Sequence, residues 1–316
     1  MFKILKHQLG KYNTVQLIND LTGEYLEVLT DFGAGLNDLQ VRDINNQLVS
    51  VIDGYRSEDE INNYHNTSFK GSKLSPFPNR IPDGVYEFEG ETYQLPITEV
   101  GANNNLHALL HNQPFEILDE EESESHAVLK LGYDYKGEEK GYPFTYSLKV
   151  TYTFSTRDVS IHTEIENMSN TLIPIGDGWH PYFKFEDLNA VQMKMGSAKR
   201  MSSNFGNTLN GHHGFEESRT IDGNTLDDCF QVNDDGDFSI HLKDENAGLA
   251  IEIWQHSAEK EYKYFQIYTP ASRKTIAIEP VTCMPNAFNT GEGLIKLEPK
   301  QVVSMSFGIK YELLNN

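Results

Sequence analysis

The densest group of chemistry-bearing residues in this sequence is Gly176 to Phe185, GDGWHPYFKF. It sets one histidine, His180, between Trp179 and Pro181, with Tyr182, Phe183 and Phe185 following. Pro181 biases His180 towards an extended backbone and cannot donate to a ladder, so the stretch reads as a strand ending at a rim. A histidine there either closes a hydrophobic core or exchanges protons near neutral pH while the rings pack on an apolar ligand face. A second candidate stands in TIAIEPVTCMPNAFN, Thr275 to Asn289. Ile276 and Ile278 share one face of a strand there, leaving Glu279 on the other just before Pro280 stops the ladder. Glu279 then either makes a surface salt bridge or projects from a rigid strand into a cleft.

Three further stretches carry polar groups in loops or at strand ends. In SPFPNRIPDG, Ser75 to Gly84, prolines on both sides of Asn79–Arg80 stiffen the loop. A stiffened arginine presents its donors to oxygen atoms at little entropic cost, or pairs with one of the many carboxylates. In GANNNLHALLH, Gly101 to His111, His107 and His111 have the i, i+4 spacing of a helical metal pair. Glu is absent after His107 and no third ligand is nearby, so no metal is expected. In LDDCF, Leu226 to Phe230, the adjacent carboxylates of a strand point to opposite faces, so at most one looks into a given pocket. The pair His212–His213 lies in a Gly/Asn loop and is given no role. The sequence has no Gly-rich phosphate loop and no G-x-S-x-G elbow.

The elements that would position these residues repeat every two residues. In YSLKVTYTF, Tyr146, Leu148, Val150, Tyr152 and Phe154 face one way. After a turn at Arg157–Asp158, Val159, Ile161, Thr163 and Ile165 alternate with polar residues, which predicts a hairpin with one wet face. The alternation returns around Phe238–Leu242, Leu249–Ile253 and Val303–Tyr311, and Tyr86 to Leu95 reads as a hairpin turning at Glu89–Gly90. The best helical candidate is Ser57 to Tyr64, with Ser57 as cap and Glu60 three residues on. The acidic cluster Asp119 to Glu124 reads as a solvated turn. Many short strands imply an all-β fold, a large antiparallel β-sandwich or barrel, in a single domain over residues 1–316.

The 47 acidic against 26 basic residues leave a formal charge of −21. That surface repels nucleic acid and anionic membranes and favours a neutral or cationic small ligand. The N-terminus lacks the apolar core of a secretory signal, and Cys229 and Cys283 read as free thiols, so a cytoplasmic protein is expected.

Taken together, these motifs resemble the aldose 1-epimerase (galactose mutarotase) family. NRI at Asn79 to Ile81, NLH at Asn105 to His107, HPYF at His180 to Phe183, LDDCF, FQIYT at Phe265 to Thr269 and IEP at Ile278 to Pro280 come in the family's order. The resemblance implies a supersandwich of the galactose mutarotase type whose concave face holds a sugar. It implies Glu279 as general base and His180 as general acid, with Asn79, Arg80, His107, Tyr182, Asp227 and Gln266 holding the sugar. Asp227 is chosen over Asp228 because the family's aspartate directly follows the apolar residue. HPYF and IEP are similar to the divergent bacterial epimerase-like branch. Where the family often has Gly after the loop histidine, this chain has Ala108.

The reaction so implied, anomer interconversion of a hexose such as galactose or glucose, needs no cofactor. Glu279 is expected to be ionised without tuning, and His180 to hold a proton in a site favouring the cation. Trp179 or Tyr182 is expected to stack on the sugar. A hexose-6-phosphate epimerase would need a basic cluster, drawn from Lys70, Lys73 and Arg80 or from Arg273 and Lys274. A carbohydrate-binding protein without turnover would need no acid–base pair. The partner is expected to be a small aldose, and the chain a monomer or homodimer.

Overall fold

Residues 1–201 and 214–314 are described by a computed structural model, so His212–His213 lies outside the described residues. The two-residue alternation becomes antiparallel strands wherever it occurs. Tyr146–Ser155 pairs with Asp158–Asn167 in one unbroken register, and Tyr146, Leu148, Val150, Tyr152 and Phe154 are buried. This hairpin belongs to a nine-stranded sheet. Its neighbours include the strands Asp237–Asp244, Leu249–His256 and Val302–Leu313, whose apolar residues face the same core. The C-terminal strand lies between Asp158–Asn167 and Leu249–His256, so the end of the chain closes the middle of the sheet. The chain's first strands, Phe2–Leu9 to Leu48–Ser50, form a five-stranded meander.

A seven-stranded sheet completes the large layers. Its path runs through Ala198–Arg200, Asp227–Val232, Tyr264–Tyr268, Thr275–Val281, Gly178–Trp179 and Lys73–Leu74, with Tyr182–Lys184 also paired to Thr275–Val281. One cluster of buried apolar side chains reaches from Phe2 to Tyr311 and draws on all three large sheets. The strands are antiparallel throughout, as an all-β sandwich requires.

Several local signals in the sequence form the elements they predict. Val85–Phe88 and Glu91–Gln94 form the short hairpin, and Glu89 (φ 50°) and Gly90 (φ 83°) supply the two left-handed positions that such a turn needs. The helix spans Glu58–Ser68, extending past Tyr64, and Ser57 accepts the backbone N–H of Glu60. The acidic cluster differs from expectation. Glu116–Glu122 is an exposed edge strand against His126–Tyr135. An edge strand solvated on both sides needs no apolar face, and its charges discourage further pairing.

Beneath the seven-stranded sheet lies a polar knot. Lys73 and Asp177 form an ion pair in which neither side chain meets solvent. Asp177 also accepts from Tyr262 Oη (3.0 Å), and Tyr262 Oη accepts from Trp179 Nε1 (3.1 Å). The Lys73 ammonium sits 4.5 Å from the Trp179 ring centre. Burial pulls the Lys73 amine down to about 8 and pushes the Asp177 carboxyl up. Trp179 is therefore core, with no face available to a sugar, and Lys73 is available to no phosphate.

Candidate active site

The strand Thr275–Val281 organises the site. On one side it pairs with two short strands in one continuous register: Gly178 faces Val281 and Tyr182 faces Ala277. His180, midway between, therefore falls opposite Glu279. The stretch does not end at a rim as expected. The ladder breaks at His180–Pro181, where Pro181 has no N–H to give, and then resumes, while the Pro181 carbonyl still accepts from the Ile278 N–H (3.3 Å). On the other side Gln266 faces Glu279, and the next strand sets Asp227 opposite Tyr268. Strand alternation thus directs Asp227, Gln266, Tyr268, Glu279, His180 and Tyr182 from one face of the sheet. Asp228 takes the opposite face and holds Arg200 (2.6 Å).

Two loops form the facing wall, joined by a short ladder in which Arg80 faces Leu106. Asn79, His107 and Ala108 all take left-handed backbone conformations (φ 61°, 59° and 56°). The His107 N–H donates to the Asn79 carbonyl (2.9 Å), and the Asn79 N–H donates to His107 Nδ1 (3.2 Å). A backbone donor at Nδ1 leaves the proton of this neutral ring on Nε2. Burial holds His107 well below the usual imidazole range, with the neighbouring His180, His111, Arg80 and His65 opposing a positive charge there as well. Both readings of Arg80 apply together. It pairs bidentately with Glu99 (2.8 and 2.9 Å) while lining the cavity, and Glu99 also accepts from Asn104 Nδ2 (2.7 Å).

Between these walls lies a cavity of about 790 Å³. All eight residues singled out in the sequence line it: His180, Glu279, Asn79, Arg80, His107, Tyr182, Asp227 and Gln266. His180 Nε2 is 3.3 Å from Glu279 Oε1, with both side chains nearly sealed from solvent. Burial lowers His180 to about 4 and pushes Glu279 well above the ordinary carboxylate range, with the Asp227 charge adding to the latter and Arg80 opposing it. This corrects two expectations: the site does not favour the imidazolium, and Glu279 does not ionise untuned. The −21 charge cannot offset the loss of hydration at these two atoms.

Gln266 Nε2 donates to Asp227 Oδ1 (2.9 Å), while Gln266 Oε1 is buried with no partner among the described residues. Tyr182 stacks on the His180 imidazole (ring centres 4.9 Å apart) and is itself 5% exposed, so it backs the histidine rather than offering a free face. Tyr268, at 37% exposure, is the aromatic ring open to a ligand. Tyr268 and Glu99 went unselected in the sequence. Tyr268 was recoverable as the residue two past Gln266, but nothing local marks Glu99 as the partner of Arg80. The i, i+4 spacing of His107 and His111 is not helical: His107 follows a short strand in a left-handed turn, and His111 bonds His65.

The family model described as aldose 1-epimerase matches residues 16–310. The chain belongs to the aldose 1-epimerase family. An uncharacterised protein of Escherichia coli K12, YihR, is 25% identical over 307 residues, covering 93% of this chain and 92% of that protein. A galactose mutarotase-like protein from Clostridium acetobutylicum superposes with a TM-score of 0.84 at 18% identity, covering 99% of both chains. A galactose 1-epimerase from Lactobacillus acidophilus superposes at 0.77 and 16% identity, covering 100% of this chain and 99% of its own. These two likenesses establish the galactose mutarotase-like fold of this family member.

Proposed function

We propose that the protein is a cofactor-independent aldose 1-epimerase that interconverts the α and β anomers of a neutral hexose such as galactose or glucose. The observation that carries this reading is the pairing of His180 with Glu279, 3.3 Å apart at the floor of a polar cavity. Ring opening removes the proton of the C1 hydroxyl, breaks the bond from C1 to the ring oxygen, and delivers a proton to that oxygen. Glu279 takes the first proton and His180 gives the second. Rotation about C1–C2 then turns the aldehyde, and closure returns both protons by the reverse path.

Each turnover begins and ends with one proton on the pair. Burial favours that proton on Glu279 over His180. The reactive arrangement, carboxylate and imidazolium, has the same proton count and the same net charge, and the Arg80 charge favours the carboxylate. Arg80, His107 and Asn79 would orient ring and hydroxyl oxygens from one wall, Asp227 and Gln266 would bind hydroxyls from the sheet, and Tyr268 would offer its ring to the sugar's apolar face.

The cavity lining supports a neutral sugar over a phosphorylated one. Arg80 is the sole Lys or Arg among the described lining residues, and it is already paired with Glu99. Glu99, Asp227 and Glu279 add three carboxyl groups. Lys70 is paired with Asp53 (2.8 Å), and Arg273 and Lys274 do not line the cavity. We take the protein to act as a single domain in the cytoplasm. Exchange NMR across neutral and phosphorylated aldoses tests the reading: faster anomer exchange of glucose or galactose than of their 6-phosphates is expected. Binding of a sugar without faster exchange would instead mark a carbohydrate-binding protein.

A further inference from the structure

Beside the catalytic pair, a second set of histidines leads away from the cavity. Phe69 stands at its centre, with its ring 4.6 Å from His107, 5.1 Å from His111 and 5.3 Å from His65. His65 comes from the helix Glu58–Ser68, and His111 from the loop after His107. His65 Nε2 lies 2.7 Å from His111 Nδ1, and His65 Nδ1 lies 2.9 Å from Tyr55 Oη. Tyr55 is 1% exposed, His65 4% and His111 9%. The chain Tyr55–His65–His111 thus runs from the core to the cavity, which His111 lines beside Asn112, Asn66 and Thr67.

The sense of this chain follows from the donors at its inner end. Tyr55 Oη accepts the backbone N–H of Lys70 (3.1 Å), which leaves its second lone pair and its proton to be placed. Its two remaining neighbours are His65 Nδ1 at 2.9 Å and Ser68 Oγ at 3.2 Å. Ser68 in turn donates to the Tyr64 carbonyl (2.8 Å). A phenol donates to an imidazole nitrogen more readily than it accepts from one, and the shorter contact is the one to His65. The Tyr55 proton therefore points at His65 Nδ1, so His65 carries its own on Nε2 and gives it to His111 Nδ1. His111 must then carry its proton on Nε2. That atom has no hydrogen-bond partner among the described residues, yet it is not one of the sealed, unpartnered polar atoms.

We infer that His111 is a sugar-recognition residue, donating Nε2–H to an oxygen of the ligand, and that His65 and Tyr55 are positioning residues that fix the direction of that donation. The inference rests on the sugar-binding reading of the cavity. His107 presents its Nε2–H by the same device, with a backbone N–H in place of the second imidazole. The two rings make a matched pair of neutral donors on one side of the cavity, whereas Asp227 and the Gln266 carbonyl offer acceptors on the other. Neutral donors suit hydroxyl oxygens. Both buried rings stay uncharged at neutral pH, since burial lowers His65 to about 3 and His111 to about 4.

The test uses the full chain with 15N-labelled histidine. At pH 7 long-range proton–nitrogen correlations are expected to show His65 and His111 both protonated at Nε2 and bare at Nδ1. Addition of millimolar D-galactose or D-glucose is expected to shift His111 Nε2. The opposite tautomer at His111, or an unmoved Nε2 resonance, overturns the inference. In anomerisation kinetics, His111→Leu and His65→Leu are each expected to raise KM roughly tenfold, the effect of losing one neutral hydrogen bond, with kcat falling less than threefold. His111→Gln, which keeps a side-chain N–H, should recover part of the loss. An unchanged KM in His111→Leu for both sugars also overturns it. If the wild-type protein accelerates neither sugar, the epimerase reading fails, and the sugar-induced shift at His111 Nε2 still decides the recognition role.

Discussion

His180 and Glu279 meet because two short strands on either side of His180 pair with the single strand that carries Glu279. Gly178 opposite Val281 and Tyr182 opposite Ala277 fix the register, and the imidazole Nε2 comes within 3.3 Å of the carboxyl Oε1. Pro181 makes this possible. It breaks the ladder for one step without shifting the register, which frees His180 to face the cavity while the strand on each side remains anchored.

The buried setting of the pair determines where its proton rests. Burial lowers His180 to about 4, so the protein at pH 5.5 holds a neutral imidazole, and burial makes the Glu279 carboxyl keep its proton to higher pH than an ordinary carboxylate. A solvated histidine, with a pKa of about 6.5, would be mostly charged at that pH. The sign for activity follows. As pH falls through about 4, the pair gains a second proton and loses its base; as pH rises past the elevated Glu279 value, the pair loses its last proton and its acid. Imidazole nitrogen shifts of His180 recorded from pH 4 to 8 check this. Imidazolium shifts already present at pH 5.5 would contradict it.

Glu99 holds Arg80 in place through two hydrogen bonds and is in turn fixed by Asn104. Glu99→Gln should leave stability within about 1 kcal/mol, because the pair is partly solvated. The released arginine no longer points one way, so KM for the sugar should rise several-fold with a smaller change in kcat. Steady-state kinetics beside a urea titration separate the two effects, and an unchanged KM would remove Glu99 from the site.

The Lys73–Asp177 pair is a matter of folding rather than chemistry. Lys73→Met leaves a carboxyl buried without its cation and should cost about 3–5 kcal/mol, whereas replacing both residues by apolar ones should recover most of that loss. Urea unfolding of the single and double variants measures it. A single variant as stable as wild type would mean that Asp177 does not need its partner.

Much of the arrangement was legible in the residues. Period-two alternation placed Glu279 opposite the face of Ile276 and Ile278, and it separated Asp227 from Asp228, as the strands now show. The motif order brought eight residues to one cavity. What escaped depends on distance in sequence or on desolvation. Glu99 reaches Arg80 across 19 positions and His65 reaches His111 across 46, and no local pattern encodes either meeting. Trp179 looks like a sugar platform from its neighbours, but which face of a short strand turns inward is set by Tyr152, Tyr262 and Phe307, which come from distant parts of the chain. A formal charge count predicts the proton on His180 wrongly because it takes no account of burial.

Ala108 preserves the left-handed turn that a glycine would adopt freely. At φ 56° its Cβ strains the backbone, so Ala108→Gly should stabilise the protein by about 0.5–1 kcal/mol after the entropy of the unfolded glycine is subtracted. The neighbouring His107, also left-handed, should keep its hydrogen bond to Asn79 and its role unchanged. Thermal unfolding measures the gain, and a destabilised variant would show that the turn is not strained.

The most direct measurement is the decay of optical rotation of freshly dissolved α-D-glucose or α-D-galactose, with wild-type protein and with Glu279→Gln and His180→Asn. Glu279→Gln keeps the size and shape of its side chain, His180→Asn puts a smaller neutral amide in place of the ring, and neither can exchange the proton. The account predicts that the wild type accelerates the decay and that each variant lowers kcat by about 10²–10⁴-fold while remaining folded. Variants that stay folded and keep the wild-type rate would contradict it.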